Sequence, residues 1–306
     1  MSVNDNNQED FPIYRIMSIY EFYDLYVNKK LKLSLFSIQE DKNDGIEHFF
    51  SYLFPFGHFE KNNEALNFLE NLRRNRYMTC WSEANDSVAM WSLYSVNQEF
   101  VKVRTSVKKL QNELLNFSKK FSIDSQWERK DTKLVVLYGH IKKAKYLDLR
   151  KYIQDVDQKY KEEFDKILKK PKVRTDFRKM LDEEMEASKF FIKDISFEHE
   201  KEIRGELSVG VSYTEQFSSW EEWARDPETR NIPIKDNKNN ELNTIEFINV
   251  GSSFVEEVSF DPRMPSYKKE LLIKMMKIDR SIVVESNCFN PIITSDFKFD
   301  FLKGLI

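Results

Sequence analysis

Glycine is scarce, seven in 306 residues, and neither a GxGxxG turn nor a Walker-type lysine loop occurs. That argues against a glycine-rich cradle for phosphate. Cysteine is scarcer still: Cys80 and Cys288 stand far apart, with no CxxC or HxxxH pair beside them. A disulfide framework and a structural zinc site are therefore not expected, and a reducing cytoplasm is the expected setting. No apolar run approaches the roughly 18 residues of a membrane span. The first ten residues, MSVNDNNQED, are polar and acidic, unlike a signal peptide, and read as a disordered tail, 1–10. Charge of one sign is also missing: 48 basic residues against 51 acidic leave a net −3, so bulk attraction to nucleic acid is not implied, although a local patch remains open.

Apolar residues make up 41 % of the chain and aromatics 14 %, enough for a sizeable core. The most unusual stretch is Ser196–Leu207, SFEHEKEIRGEL, with Glu198, Glu200, Glu202, Arg204 and Glu206 two apart. As a strand it puts all five on one face, carboxylates about 6.5–7 Å from their neighbours. Such a face is either solvated, with Glu202 and Arg204 as a surface ion pair, or it lines a cleft that uses acid groups.

Taken in order, Phe11–Ile16 reads as a strand, Ser18 and Glu21 as the capping box of a helix, and Leu31–Phe36 as a second strand. Asn43-Asp44-Gly45 is a turn, and Glu64–Asn75 an amphipathic helix. Arg76–Ser82 reads as a buried strand, Asp86 as an N-cap, and Val88–Tyr94 as a short helix. A strand over Phe100–Thr105 and a helix over Val107–Phe121 follow. Lys133–Tyr138 is a strand that Gly139 ends or bulges. Tyr152–Lys169 and Val173–Ser188 carry helical spacing on either side of Pro171, a hairpin inserted at 150–190. Strands are expected at Asn243–Val250, Phe254–Phe260 and Arg280–Ser286, with a helix at Tyr267–Lys277 capped by Ser266. The fold class is α+β, one domain over 11–306, with a split, mainly antiparallel sheet.

The segments YRIMSIYEFYDLYVNKKLKLS, DKNDGIEHFF, CWSEANDSVAMWSLYS, VKVRTSVKKL, FEHEKEIRGEL and FVEEVSFDPRMPSYKKELLIKMM resemble, in collinear order, the bacterial domain-of-unknown-function family 2971. The departures are Gly45 for a proline, Leu93 for a histidine and Phe197 for a tryptophan. The layout also resembles mono-ADP-ribosyltransferases of the Arg–Ser–Glu type, with Arg15, Ser82 in MTCWS, and Glu200-x-Glu202 in the matching chain order. That resemblance implies NAD as the cofactor, with Arg15 on its pyrophosphate and Ser82 supporting the pocket. Trp91 or Tyr94 would stack on the nicotinamide. Glu202 would stabilise the ribosyl cation, and Glu200 would orient or deprotonate the acceptor. Arg104 and Arg204 would meet the substrate. The implied activity is transfer of ADP-ribose to a protein or nucleic acid, or hydrolysis of NAD, in a toxin or phage-defence effector. The competing expectations are a non-catalytic module whose hairpin at 150–190 docks a partner protein, and a nucleic-acid-acting protein using Arg73, Arg74, Arg76, Lys102 and Arg104.

Overall fold

The structure is a computed structural model that describes residues 9–41, 43–44, 70–122, 133–155, 158, 191–212, 234–235, 237, 239 and 241–289. The chain begins with β1 (Pro12–Ser18), α1 (Ile19–Tyr26) and β2 (Lys30–Leu35). Then come β3 (Arg76–Ser82), α2 (Val88–Tyr94), β4 (Phe100–Ser106) and α3 (Val107–Lys120). They are followed by β5 (Leu134–Lys143), β6 (Lys145–Leu147), β7 (Ile192–Asp194) and β8 (Glu202–Ser212). The last elements are β9 (Ile234–Lys235), β10 (Ile245–Asn249), β11 (Glu257–Phe260) and α4 (Ser266–Met276). This is a mixed α+β architecture, and every pairing in its nine-stranded sheet is antiparallel. A small second sheet pairs β6 with β7 in parallel.

The sheet forks at β3. One edge of β3 pairs with β8 along its whole length, from Arg76 opposite Ser208 to Ser82 opposite Glu202. The other edge is shared. Its first half takes β2, with Leu35 opposite Tyr77 and Ser34 opposite Met78, and its last residue takes β1, with Tyr14 opposite Ser82. Between them Thr79, Cys80 and Trp81 have no ladder partner on that edge among the described residues. From there β2 continues to β10, and β1 to β4 and β11.

Local chemistry explains most of these elements. Ser18 Oγ accepts the Glu21 N–H at 3.2 Å and starts α1, which buries Phe22 and Leu25. Ser87, not Asp86, caps α2. The Asp86 carboxylate instead accepts from Trp91, Lys102, Ser286 and the Asn287 N–H, a cluster that outcompetes a cap. On α3, Val107, Leu110, Leu114 and Phe117 face the sheet, each contributing about 1.5–3 kcal/mol by burial. Gly205 lets α3 lie close to β8. A Cβ there would meet Leu114 Cδ1 at 2.9 Å and Thr79 Cγ2 at 3.1 Å. Gly205→Ala is expected to cost about 1–3 kcal/mol by overpacking, read as a lower melting temperature; an unchanged melt would show that the helix can lift freely.

Several expectations are corrected. The acidic stretch is not one strand: Ile195–Glu200 is a 3-10 helix, Lys201 sits in the left-handed region at φ 45°, and β8 starts at Glu202 and runs unbroken to Ser212. Gly139 neither ends nor bulges β5; the irregularity lies between Val136 and Tyr138. The expected strand at 280–286 is a 3-10 turn, Arg280–Ile282, followed by a single bridge from Val283 to Val258. The N-cap of α4 is Pro265, without a side-chain bond, so Ser266 is already helical. The tail at 1–8, all of 45–69, and the hairpin apart from 150–155 and 158 lie outside the described residues. No helix among the described residues is long and apolar enough to cross a membrane.

Candidate active site

A cleft of about 310 Å³ opens where the sheet forks. Ladder partners point the same way, so the pairs Met78–Glu206, Cys80–Arg204 and Ser82–Glu202 form rows on the cleft face, while Tyr77–Leu207 and Trp81–Ile203 enter the core. Arg15, Lys32 and Ser34 come from the two arms of the fork, Met90 and Tyr94 from α2, and Lys193 from β7.

At the fork, Arg15 spans the open seam. It donates to Thr79 Oγ1 at 2.6 Å and to Glu21 Oε1 at 2.5 Å, while Glu21 Oε2 takes Lys32 Nζ at 3.3 Å. The side chains of Arg15 and Lys32 keep 17 % and 31 % of their surface open. This end carries two cations and one carboxylate.

The opposite wall is built on the acids, and there the face is not solvated: Glu202 is 3 % exposed and Arg204 1 %. Arg204 grips Glu202 in a fork (Nε to Oε1 2.7 Å, Nη2 to Oε2 3.2 Å) and holds Asp44 with its Nη2 at 2.9–3.0 Å. Lys193 Nζ reaches Glu200 Oε2 at 2.5 Å and Glu202 Oε2 at 3.0 Å. Tyr94 donates its hydroxyl to Glu200 Oε1. The left-handed Lys201, an unusual conformation for a side chain with a Cβ, turns the chain so that Glu200 and Glu202 both meet one lysine. Ser82 secures that turn: its hydroxyl donates to the Glu200 carbonyl at 2.6 Å and accepts the Ala84 N–H at 2.9 Å.

These contacts set the charges. Burial alone would raise the Glu202 carboxyl, but Arg204, Lys193 and the Cys80 thiol outweigh it and hold it at about 2. Burial likewise opposes the Lys193 charge, yet Glu202 and Glu200 lift it above the usual lysine range. Asp44 goes the other way, since burial raises its carboxyl despite Arg204. Burial, with the neighbouring Glu202 carboxylate, pushes the Cys80 thiol well above its ordinary value, so it is no thiolate nucleophile. Burial and then the Glu200 carboxylate raise the Tyr94 phenol, which stays a donor.

An ionised carboxylate has about four acceptor positions. On Glu202, Arg204 takes two, Lys193 one and the Cys80 thiol one. On Glu200, Lys193 and Tyr94 take two, which among the described residues leaves two for a ligand.

Of the residues singled out in the sequence, the cleft thus gathers Arg15, Ser82, Tyr94, Glu200, Glu202 and Arg204. Arg204 is sealed beneath the acids and presents no free guanidinium to a substrate. Trp91 is wholly buried with its Nε1–H on Asp86, so it has no ring face to offer a ligand. Arg104 lies outside the lining, paired to Glu256 and Glu257. Lys193, Glu21, Lys32 and Asp44 were missed. A lone lysine in the apolar run Phe190-Phe191-Ile192-Lys193 is the signal that would have exposed the first. No family model, no curated protein and no solved structure matches the chain.

Proposed function

We propose that the cleft binds oxidised nicotinamide dinucleotide and transfers its ADP-ribosyl group to an acceptor, or to water, on an ADP-ribosyltransferase-like fold. One observation carries this. Arg15, Ser82 and Glu202 stand on the neighbouring strands β1, β3 and β8 and all line one cleft: Ser82 lies opposite Glu202 on its face, and Arg15, next to the Tyr14 that lies opposite Ser82, enters through the open seam onto Thr79. That places Arg15 and the acids about two strand spacings, ~10 Å, apart at the backbone. The collinear resemblance to domain-of-unknown-function family 2971 belongs to the same proposal.

The residues fit such a ligand in charge and size. Arg15 and Lys32 with Glu21 leave one net positive charge at the fork. Glu200, Glu202 and Asp44 with Lys193 and Arg204 leave one net negative charge at the other end. A molecule with a phosphate at one end and a pyridinium at the other matches that polarity. The volume is at the small end of ligand sites, roughly 300–1,000 Å³, which suits the nicotinamide ribose with the phosphates at the fork. Bound there, the dinucleotide supplies a ribosyl carbon whose bond to the pyridinium nitrogen breaks, the electron pair leaving with nicotinamide as the acceptor oxygen or nitrogen bonds to that carbon.

Glu200 is the catalytic carboxylate, since its free acceptor positions reach the cleft and can take a ribose hydroxyl or the acceptor's proton. Glu202 is a fixed negative charge behind it that favours the cationic transition state. Tyr94 flanks the ring. Arg15 binds phosphate through its guanidinium fork, which lysine does not copy.

The test is release of labelled nicotinamide by the full chain, with and without cell extract and nucleic acid as acceptor sources. Release is expected, along with tighter calorimetric binding of the oxidised than the reduced dinucleotide. Arg15→Lys is expected to raise KM about tenfold with a smaller change in kcat. Absence of both binding and release in every mixture would overturn the proposal.

A further inference from the structure

We infer that Lys193 is the positioning residue of this site, a buried ammonium that bridges Glu200 and Glu202 and holds the two carboxylates side by side at the cleft. The inference rests on the proposed function for its kinetic consequence, but its physical content stands on the geometry alone.

Two carboxylates on a shared cation are an unstable arrangement without that cation. Like charges at this range make one of the pair hold a proton. Lys193 Nζ is the atom common to both, at 2.5 Å from Glu200 and 3.0 Å from Glu202, and the residue is 8 % exposed. The other groups around it do not substitute for it. Arg204 divides its charge between Asp44 and Glu202, whose Oε2 it shares with Lys193. Tyr94 on α2 donates to Glu200 but carries no charge, and Cys80 on β3 stays a thiol. Tyr146 on β6 is a neutral phenol, pushed up to about 12 by burial and by Glu202.

The lysine is itself held in place. The Phe197 ring lies 4.5 Å from Nζ and covers its free side. β7 carries Lys193 and pairs with β6, with Tyr146 opposite Lys193. β6 in turn is fastened to the backbone of Glu202: the Ala144 N–H donates to the Glu202 carbonyl at 2.8 Å, and the Glu202 N–H donates to Tyr146 Oη at 2.7 Å. The small parallel sheet is thus a clasp. One strand fixes the main chain of Glu202, and the other supplies the cation that both acids share.

The experiment compares the full chain with Lys193→Met and Lys193→Arg. Carboxyl carbon NMR on glutamate-labelled protein reads the pair directly. In Lys193→Met one carboxyl of the pair is expected to titrate at least one pH unit higher than either does in the native protein, and Lys193→Arg is expected to reverse most of that change. In nicotinamide release, the acid limb of the kcat profile should move up by a similar amount, with KM little altered. If Lys193→Met does not fold, Lys193→Met/Glu200→Gln removes one charge of each sign and is expected to recover the melting temperature. Unchanged carboxyl titrations in Lys193→Met, or a double variant that melts as low as the single one, would overturn the inference. Native protein that releases no nicotinamide but shows the NMR change would sink the proposed function and leave the role of Lys193 standing.

Discussion

Glu200→Gln is expected to cut nicotinamide release by about 10²–10³ while the protein still folds. The magnitude is that of losing one charge-bearing group aimed at a transition state. The fold survives because glutamine retains an oxygen for Lys193 and a partner for the Tyr94 hydroxyl, and Ser82 holds the backbone of residue 200, not its side chain. Tyr94→Phe is the companion variant. It removes one donor from Glu200 and should lower the rate far less. Release kinetics and a melting curve on the same preparations decide the matter. Wild-type kcat in Glu200→Gln would remove this carboxylate from the chemistry.

Glu202→Gln is expected to damage the fold most. Removing that charge leaves Arg204 and Lys193 buried with half of their compensation gone, and breaking such a pair from one side costs about 3–5 kcal/mol. A fall in melting temperature on the order of 10 °C follows for a chain of this size. The pH dependence has a definite sign. The Glu202 carboxyl is held at about 2 against an ordinary 4.5, so its stabilising contribution is present above pH 4.5 and is lost as pH falls towards 2. The stability gap between wild type and Glu202→Gln should therefore be widest near neutrality and close through that window. Asp44, whose carboxyl is raised by burial, acts in the opposite direction and relieves a cost on protonation, which makes the acid limb shallower. A gap independent of pH would mean that packing, not charge, is what Glu202 supplies. Glu206→Gln is the comparison for loss of a buried charge elsewhere on β8, since Glu206 pairs with Arg76 at 2.9 Å.

Elements set by local chemistry were legible in the sequence. The Ser18 cap, the alternating apolar residues of β2 and β4, and the four-residue stripe of α3 all lie within a turn or two of the chain that specifies them. Arg15, Ser82 and Glu202, singled out by their chain order, line one cleft. The break at Lys201 was not legible. Alternating Glu-x-Glu-x-Glu satisfies a strand pattern equally well, and what selects the 3-10 turn is Ser82 binding the Glu200 carbonyl from 118 residues away. Burial of the acids was hidden for a related reason. An isolated arginine is rarely sealed from water, and Asp44, 160 residues from Arg204, helps close the cluster over it. The role of Trp91 depended on which way a seven-residue helix was rolled, and Asp86 decided that.

The fork at β3 also orders events in time. Its first edge is occupied by strands that precede it in the chain, but its second edge waits for β8, and Glu200 and Glu202 arrive only with the 3-10 turn and β8. Synthesis at about 5–20 residues per second puts roughly 6–24 s between the emergence of Ser82 and that of Glu200, 118 residues later. During that interval the nascent chain holds the fork, with Arg15, Lys32 and Glu21, and neither Glu200 nor Glu202. The cluster of Glu200, Glu202, Lys193 and Arg204 is thus completed late, by the last strand to join β3.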